Sequence, residues 1–350
     1  MTYSNYPITS DDTVLVTGGG GFLGRATVEL LLQKKAKVRI TGRKTYPDLE
    51  KAGCEVFQGE ISDKDLLLKA TEGCTMVFHM AAKAGTEEPY SEFERINYKG
   101  TLAVIEACKK NGVKKLIYTS SPSVVFADGD IEGANESLPY LEDTKDSPYY
   151  PKTKRMAEKA VLAENSENLA TTSLRPHLIW GPGDNNLLPR IESKARAGKM
   201  RFIGDGTNKV DTTYILNAAT AHIQAAEALA PGSPNAGKAY FITNGEPMPL
   251  KDVVNSMLAA AGCGPVTSHI PVKVAYWMGA LCEFVYKKGW FGLKGEQPLT
   301  RWVAGEMATA HWFDISAAKR DFGYEPIVSM KEGFKLLKEH CDARNKSNKS

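Results

Sequence analysis

Cysteine is scarce in this sequence, and long apolar segments are missing. The six cysteines among 350 residues are scattered and include no Cys-x-x-Cys pair, so we expect reduced thiols rather than a disulfide framework. No stretch reaches the roughly 18–20 apolar residues of a membrane-spanning helix. The polar residues 1–12 lack the apolar core of a secretory signal. We therefore expect a cytoplasmic protein, with peripheral membrane contact as an alternative.

A large excess of charge of either sign is missing as well. The formal net charge is +3, which is too small to indicate nucleic acid as a partner. Hydrophobic residues make up 42% and charged residues 24% of the chain, as in ordinary globular proteins. At this length the chain can bury a full α/β core and still form a second, smaller region. We predict no metal site.

The chain is organised around a glycine-rich turn near its start. Residues 13–16 predict a buried strand, and residues 25–32 have the apolar spacing of a helix. Between them Gly18, Gly21 and Gly24 form Gly-x-x-Gly-x-x-Gly, and no Gly-Lys-Ser/Thr follows as it would in a nucleotide-triphosphatase loop. Free N–H groups and the helix dipole favour an anion at such a turn. The pattern predicts dinucleotide binding.

The end of the second predicted strand, residues 37–43, bears on the choice of cofactor. In a dinucleotide fold this end faces the adenosine ribose, where an acid favours NAD. Here Arg43 and Lys44 occupy the place, and the first carboxylate is Asp48. Two cations suit a 2′-phosphate, so we predict a preference for NADP(H), with NAD(H) as the alternative. The other interpretation of the two cations is a solvated basic turn.

Strands continue to alternate with helices. Residues 55–61, 75–82 and 115–120 predict strands, and residues 91–111 predict a helix. This alternation predicts an α/β fold, a Rossmann-type doubly wound parallel sheet that binds ligands at the carboxyl ends of its strands. His79 lies inside an apolar strand, where a hydrogen-bonded core histidine is expected rather than a catalytic one.

A tyrosine and a lysine four residues apart follow the polar loop 127–148. Tyr150 and Lys154 fall on one face of a helix, one turn from each other. An ammonium close to a phenol lowers the phenol pKa from about 10 and creates a proton donor or acceptor near neutral pH. Tyr-x-x-x-Lys is common by chance, so a surface pair is the alternative. The pattern gains weight because a cofactor turn and a serine-ended strand precede it.

These pieces resemble an extended short-chain dehydrogenase/reductase over residues 13–326. Three further segments match its motifs: Asn97-Tyr98-Lys99-Gly100-Thr101, Arg175-Pro176-His177, and Val210-Asp211-Thr212-Thr213-Tyr214 with Asn217. The resemblance implies a catalytic triad of Ser121, Tyr150 and Lys154. The family's serine or threonine stands three residues before a valine, here Val124, which selects position 121 over 120 and 123.

The expected cofactor site combines the glycine turn, the ends of four strands and the tyrosine–lysine pair. The small residues Ala81 and Ala82 would let the backbone approach a bound cofactor closely. Its members are Gly18, Gly21, Phe22, Leu23, Gly24, Arg43, Lys44, Glu60, Ile61, Ala81, Ala82, Lys83, Tyr150, Lys154 and Pro176.

Within this superfamily the sequence is most similar to the 3β-hydroxysteroid dehydrogenase group. That similarity is carried by residues 119–124, 174–184 and 321–326. Residues 81–85, 185–190, 237–247 and 298–301 resemble bacterial reductases of long-chain 2-alkyl-3-oxo acids. Those reductases act in olefin biosynthesis. The resemblance implies NADPH, a long-chain β-keto acid substrate, a β-hydroxy acid product, a homodimer and association with other enzymes of that pathway.

Two other functions stay open. A 3β-hydroxysteroid or sterol-4-carboxylate 3-dehydrogenase would run the same chemistry as an oxidation. A catalytically silent regulatory protein that binds NAD(P) would share the fold, although the intact triad argues against silence. Sterol-like and long-chain acyl compounds are therefore both candidate substrates.

Two domains and a tail are expected. Residues 11–177 and 211–243 would form the NAD(P)-binding Rossmann domain, and residues 178–210 and 244–340 a smaller substrate-binding cap. Residues 341–350 are polar and predict a disordered tail. The most apolar run of the cap, residues 274–286 with Trp290 and Phe291 just beyond, is too short to span a bilayer. It is a core helix, a lid over acyl chains, or a helix resting on a membrane.

Overall fold

The computed structural model describes residues 6–85, 89–126, 129–142, 144, 147–288 and 299–347, with the backbone alone for 287, 288 and 347. Trp290 and Phe291, singled out above, lie outside the described residues. Among the helices that the structure describes, none combines the length and the apolar character needed to cross a membrane. All six cysteines are unpaired, as the sequence predicts.

The strands and helices alternate along most of the chain. The strands are β1 (Thr13–Thr17), β2 (Lys37–Gly42), β3 (Glu55–Gln58), β4 (Met76–His79), β5 (Lys115–Thr119), β6 (Ile131–Ala134), β7 (Ala170–Pro176), β8 (Ile179–Trp180), β9 (Phe202–Ile203), β10 (Lys209–Val210), β11 (Thr213–Tyr214), β12 (Lys238–Ile242), β13 (Met248–Pro249), β14 (His269–Ile270) and β15 (His311–Phe313).

The helices follow the same order. They are α1 (Phe22–Gln33), α2 (Pro47–Lys51), α3 (Lys64–Thr71), α4 (Tyr90–Phe93), α5 (Gly100–Lys110), α6 (Tyr149–Ala163), α7 (Leu187–Arg196), α8 (Ile215–Ala228), α9 (Leu250–Ala260), α10 (Val272–Lys288), α11 (Arg301–Ala308), α12 (Ser316–Phe322) and α13 (Met330–Ser347). A π-helical turn, Glu94–Lys99, joins α4 to α5.

The central sheet has seven parallel strands in the order β12-β7-β5-β4-β1-β2-β3. Its strands are buried on both faces: Val14 and Val16 of β1 pack into one hydrophobic cluster, and Leu15 packs into the other. Helices α1 and α8 supply the first cluster, and α3, α5 and α6 supply the second. Such two-sided burial explains the continuous apolar runs in the sequence and confirms the doubly wound fold.

The order of the strands also fixes where a ligand can bind. From β1 the chain winds outward through β2 and β3, and then returns to place β4 on the other side of β1. The connections that leave β1 and β4 therefore diverge, which opens a crevice at their carboxyl ends. The glycine turn and the segment after β4 border this crevice.

A smaller set of strands lies outside the central sheet. It contains a four-stranded sheet in the order β13-β10-β15-β6, and the two-stranded pairs β8–β11 and β9–β14. Strand β6 lies within residues 127–148, for which the sequence predicts only a loop. Three of its four residues pair with β15, which is remote in sequence, so no local pattern could indicate it.

The contacts of the last third differ from the predicted domain boundaries. Ile315, Ala318, Phe322 and Tyr324 are buried in the same cluster as β1 and α1, although the sequence assigns residues 244–340 to the cap. Tyr324 also donates a hydrogen bond of 2.9 Å to the Thr243 carbonyl. The division into two domains otherwise stays a prediction.

The prediction of a disordered tail from residue 341 is wrong for the residues that the structure describes. Helix α13 continues to Ser347, and Cys341 is fully buried against the cap. Arg344 forms an ion pair of 3.1 Å with Glu192 of α7. Polar composition suggested disorder, but one buried face and an ion pair are enough to hold the helix in place.

Helix α10 exposes its large apolar residues instead of burying them. Trp277 and Leu281 are 73% and 63% exposed. The residues on this side, called here the α10 apolar face, are Val274, Trp277, Met278, Leu281 and Phe284. The opposite side carries small residues: Ala275 is buried, and a Cβ on Gly279 would lie 2.7 Å from the backbone of Arg301. The interpretation of this run as a core helix is therefore wrong.

Candidate active site

The glycine turn forms a cradle between β1 and α1. Gly18 has a φ of +70°, and a Cβ there would lie 3.0 Å from the Cα of Ala81. A Cβ on Gly24 would overlap the Gly18 carbonyl oxygen, so only glycine lets α1 pack this close. Helix α1 starts at Phe22 without a side-chain cap, which leaves its first N–H groups for a ligand. The cradle suits the pyrophosphate of a dinucleotide.

The far side of the cradle is lined by a tyrosine and by cations. The Tyr46 ring fills the space that side chains at Gly20 and Gly42 would occupy. Arg25 of α1 forms an ion pair with Asp48 of α2 across this side. The predicted Arg43 and Lys44 follow β2, and both are exposed.

A chain of hydrogen bonds holds the end of β4 beside the cradle. Thr17 Oγ1 accepts from the N–H groups of Met80 at 3.1 Å and Ala81 at 3.2 Å, and it lies 2.7 Å from His79 Nδ1. His79 Nε2 lies 2.9 Å from Thr101 Oγ1. Burial lowers the pKa of His79 to about 3, so the imidazole is neutral. The prediction of a hydrogen-bonded core histidine is confirmed.

Asn97 ties this segment to the helix that carries the tyrosine. It lies in the π-helical turn and is buried. Its Oδ1 accepts from the N–H of Lys83 at 2.7 Å, and its Nδ2 donates to the Lys83 carbonyl at 3.0 Å and to Thr153 Oγ1 at 3.1 Å. The sequence motif that starts at Asn97 was noted above, but its positioning role was not predicted.

The structure brings Ser121 and Tyr150 together. Ser121 follows β5, and its side chain lies beside the Tyr150 phenol, whose pKa it lowers. Ser123 donates to Ser121 Oγ from its backbone N–H at 3.3 Å and from its hydroxyl at 3.0 Å. Because Ser121 accepts both bonds, its own proton is free to donate. Ser120 is buried away from the tyrosine, next to Glu158.

Lys154 points elsewhere than the sequence predicts. Its Nζ donates to the Thr119 carbonyl and lies 4.2 Å from the centre of the Tyr118 ring. Burial lowers the pKa of Lys154 to about 7. Burial also raises the pKa of Tyr150, and the charge of Lys154 does not offset this rise. The expected lowering of the tyrosine pKa by this lysine is therefore absent, because the long side chain reaches the end of β5 instead.

A buried ion pair lies behind the lysine. Arg175 Nη2 donates to Glu158 Oε1 at 2.6 Å, and Ser173 Oγ donates to Glu158 Oε2 at 2.8 Å. Glu158 stands one helical turn beyond Lys154, and its charge raises the pKa of that lysine against the effect of burial. The sequence-based prediction missed Glu158, although its spacing from Lys154 on α6 was available as a signal.

The remaining predicted cofactor residues also follow the carboxyl ends of strands. Glu60 follows β3 and accepts from Arg95 Nη1 at 3.3 Å, and the adjacent Ile61 is buried. Pro176 ends β7 and is buried. Leu23 differs from the others, because it packs into the cluster formed by the cap. The cofactor and catalytic roles of all these residues stay predictions.

Residues 15–272 match the 3-beta hydroxysteroid dehydrogenase/isomerase family. The chain belongs to this family. A 2-alkyl-3-oxoalkanoate reductase of Stenotrophomonas maltophilia is 48% identical over 93% of this chain and 98% of its own length. A protein of the same name from Shewanella oneidensis is 43% identical over 92% and 84%. The predicted family, and with it the prediction of an oxidoreductase, is confirmed.

A second group of relatives is named for sterols. The sterol-4-alpha-carboxylate 3-dehydrogenase of Mus musculus is 36% identical to this chain, over 95% of the chain and 91% of the relative's own length. Among solved structures, a UDP-glucose 4-epimerase of Thermotoga maritima superposes with a TM-score of 0.73 at 20% identity, over 95% and 99% of the two chains. MoeE5 in complex with UDP-glucuronic acid and NAD gives 0.72 at 22%, over the same shares. These likenesses concern the fold.

Proposed function

We propose that this enzyme reduces the ketone of a long-chain 2-alkyl-3-oxoalkanoate to the 3-hydroxy acid with NADPH. The observation that carries the proposal is the Ser121–Tyr150 pair across the crevice from the glycine cradle. Relatives named 2-alkyl-3-oxoalkanoate reductase, at 48% and 43% identity, support the choice of substrate. The glycine turn with Gly18, Gly21 and Gly24 would hold the nicotinamide cofactor, which would supply hydride for the ketone carbon.

The protein's own residues manage the oxygen and the proton. Tyr150 donates its phenolic proton to the oxygen as negative charge develops there. Ser121 donates a hydrogen bond to the same oxygen, since Ser123 already occupies its acceptor side. With a pKa of about 7, Lys154 can hold a proton at the end of β5 at neutral pH, where it donates to the Thr119 carbonyl. Asn97 keeps Thr153, and with it α6, in register with the end of β4.

The preference for NADPH rests on cations at the end of β2. Arg43 and Lys44 extend into solvent where an acid would discriminate in favour of NAD. Arg25 adds a third cation on the adjacent helix, although Asp48 neutralises part of its charge. A 2′-phosphate placed among them would accept charge-assisted hydrogen bonds.

The runner-up function is oxidation of a 3β-hydroxysterol 4-carboxylate, which the 36% identical dehydrogenase favours. One assay separates the two: the change in cofactor absorbance with a 2-alkyl-3-oxo acid and NADPH, compared with a 3β-hydroxysterol 4-carboxylate and NAD. We expect turnover of the first pair. Turnover of the sterol alone would overturn the proposed substrate, and cofactor binding without turnover of either would favour a silent protein.

The α10 apolar face is proposed to rest on a membrane surface, from which long-chain substrates are taken up. The alternative of an acyl-chain lid fits the packing less well. Helix α11 packs on the small-residue side of α10, where Ala304 and Ala275 share a cluster. The α10 apolar face lies on the other side and is exposed, whereas a lid would turn its large apolar residues towards the substrate.

A further inference from the structure

Glu306 has an unusual environment for a carboxylate. Its Oε1 atom is buried and has no hydrogen-bond partner among the residues that the structure describes. Other buried acids are paired: Glu158 accepts from Arg175, and Asp211 accepts from the Phe313 N–H at 2.8 Å. A buried polar atom without a partner costs free energy, so such atoms are uncommon outside functional sites.

The carboxyl group of Glu306 lies within electrostatic reach of Tyr150 of α6. Its negative charge raises the pKa of that phenol, in addition to the larger effect of burial. The other titratable neighbour is His311 of β15, whose imidazole bonds to the Glu306 backbone and stacks on Phe126 at 4.7 Å. Burial lowers the pKa of His311 to about 4, and the nearby His177 contributes to this lowering, so His311 is neutral.

Glu306 itself is mostly protonated at neutral pH. Burial raises its pKa to about 8, and no charged group among the described residues contributes to the shift. A protonated carboxyl donates a hydrogen bond through its O–H, whereas the ionised form only accepts. Beside the tyrosine the fold therefore holds a donor that is not used within the protein.

We infer that Glu306 binds the carboxylate of the substrate. This inference rests on the proposed function. In a 3-oxo acid a single carbon separates the ketone from the carboxylate, so a ketone held by Ser121 and Tyr150 places the carboxylate beside them. Sterol 4-carboxylates have the same arrangement, because one carbon separates the carboxylate from the carbon that bears the oxygen. A neutral donor binds such an anion, and the anion in turn favours the protonated form of Glu306.

The charge state predicts a distinctive pH dependence. Below pH 8 Glu306 donates to the carboxylate, and above it the ionised group repels the substrate. Tyr150 titrates above this range because burial raises its pKa, whereas Lys154 loses its positive charge near pH 7 and also favours the acid over the methyl ester. A Glu306→Gln variant keeps Lys154 but lacks the titrating carboxyl, so comparison of its acid-to-ester ratio of kcat/KM with that of the wild type isolates Glu306. We expect the wild-type ratio to fall more steeply as the pH rises through 8.

The test uses the full-length enzyme with a 2-alkyl-3-hydroxy acid and its methyl ester in the oxidation direction, because these compounds do not decarboxylate. Glu306→Leu should lower the acid-to-ester ratio roughly tenfold to a hundredfold, the scale of one hydrogen bond to a charged group. Glu306→Gln keeps a donor that does not titrate, so its ratio should remain high and retain only the pH dependence that Lys154 causes. Glu332→Leu removes an exposed acid elsewhere in the cap and is the matched control.

Equal losses for acid and ester in Glu306→Leu would overturn the inference, as would a wild-type ratio that does not change with pH. Calorimetric binding of the same acid and ester to the enzyme with cofactor separates this inference from the proposed function. An acid that binds in a manner dependent on Glu306 but is not oxidised supports the inference and contradicts the proposed reaction. Binding of acid and ester with equal affinity contradicts the inference, whatever the turnover.

Discussion

The candidate active site and the α10 apolar face use side chains in opposite ways. Around the site, polar groups such as His79, Asn97 and Glu158 are buried and hydrogen-bonded, so folding fixes their positions. On α10 the small residues are buried, and Trp277 and Leu281 are exposed. The first region is built to position groups for chemistry. The second leaves apolar area uncovered, so it suits contact with something outside the chain.

Replacement of Tyr150, the proposed proton donor, should give the largest effect on activity and leave the α10 apolar face unaffected. Tyr150→Phe removes the proton donor, so kcat should fall at least about 10²-fold, the scale of general acid catalysis. Cofactor affinity, melting temperature and vesicle binding should stay close to wild type. Turnover near the wild-type value would remove Tyr150 from the mechanism.

A methyl group in the cradle should act on binding and stability instead. In Gly24→Ala the new Cβ meets the Gly18 carbonyl, and overpacking of this kind costs about 1–3 kcal/mol. We expect a lower melting temperature and weaker cofactor binding by calorimetry. Gly305→Ala is the control, since nothing lies near its Cβ and alanine favours a helix. Equal behaviour of the two variants would contradict the role of the cradle.

The choice of cofactor should respond to a surface cation. Arg43→Ala should narrow the preference for NADPH over NADH roughly tenfold, as expected for one hydrogen bond to a charged phosphate. The ratio of the two kcat/KM values measures this. Lys37→Ala, at the start of β2 and away from the cofactor edge, is the matched control. If the wild type uses NADH equally well, the assignment to NADPH is wrong.

The smallest effect on the folded enzyme is expected from the α10 apolar face. Trp277→Gln should leave the free energy of unfolding within about 0.5 kcal/mol, because the indole is exposed. Binding to lipid vesicles should weaken several-fold, and chain-length preference on dispersed substrates should not change. Val272→Gln, exposed on another side of α10, is the control. A change in chain-length preference with unchanged vesicle binding would restore the lid.

Much of the fold and of the site could be predicted from the sequence. The alternation of apolar runs with helical patterns indicated the doubly wound sheet, because each strand buries both faces through its own residues. The glycine turn and the Tyr150–Lys154 spacing were readable for the same reason: neighbours in sequence determine them. Ser121 required the resemblance to a family, since three serines stand near the end of β5.

Tertiary structure alone decided what depends on residues remote in sequence. It gave Lys154 a carbonyl partner on β5 in place of the phenol, paired Glu158 with Arg175, and buried Glu306 Oε1 without a hydrogen-bond partner among the described residues. It also placed the large residues of α10 on the outside. Helical spacing states which residues share a face, but not which face another part of the chain covers. The burial of a side chain, and with it the charge state and the chemistry of an ionisable group, depends on which part of the chain packs over it.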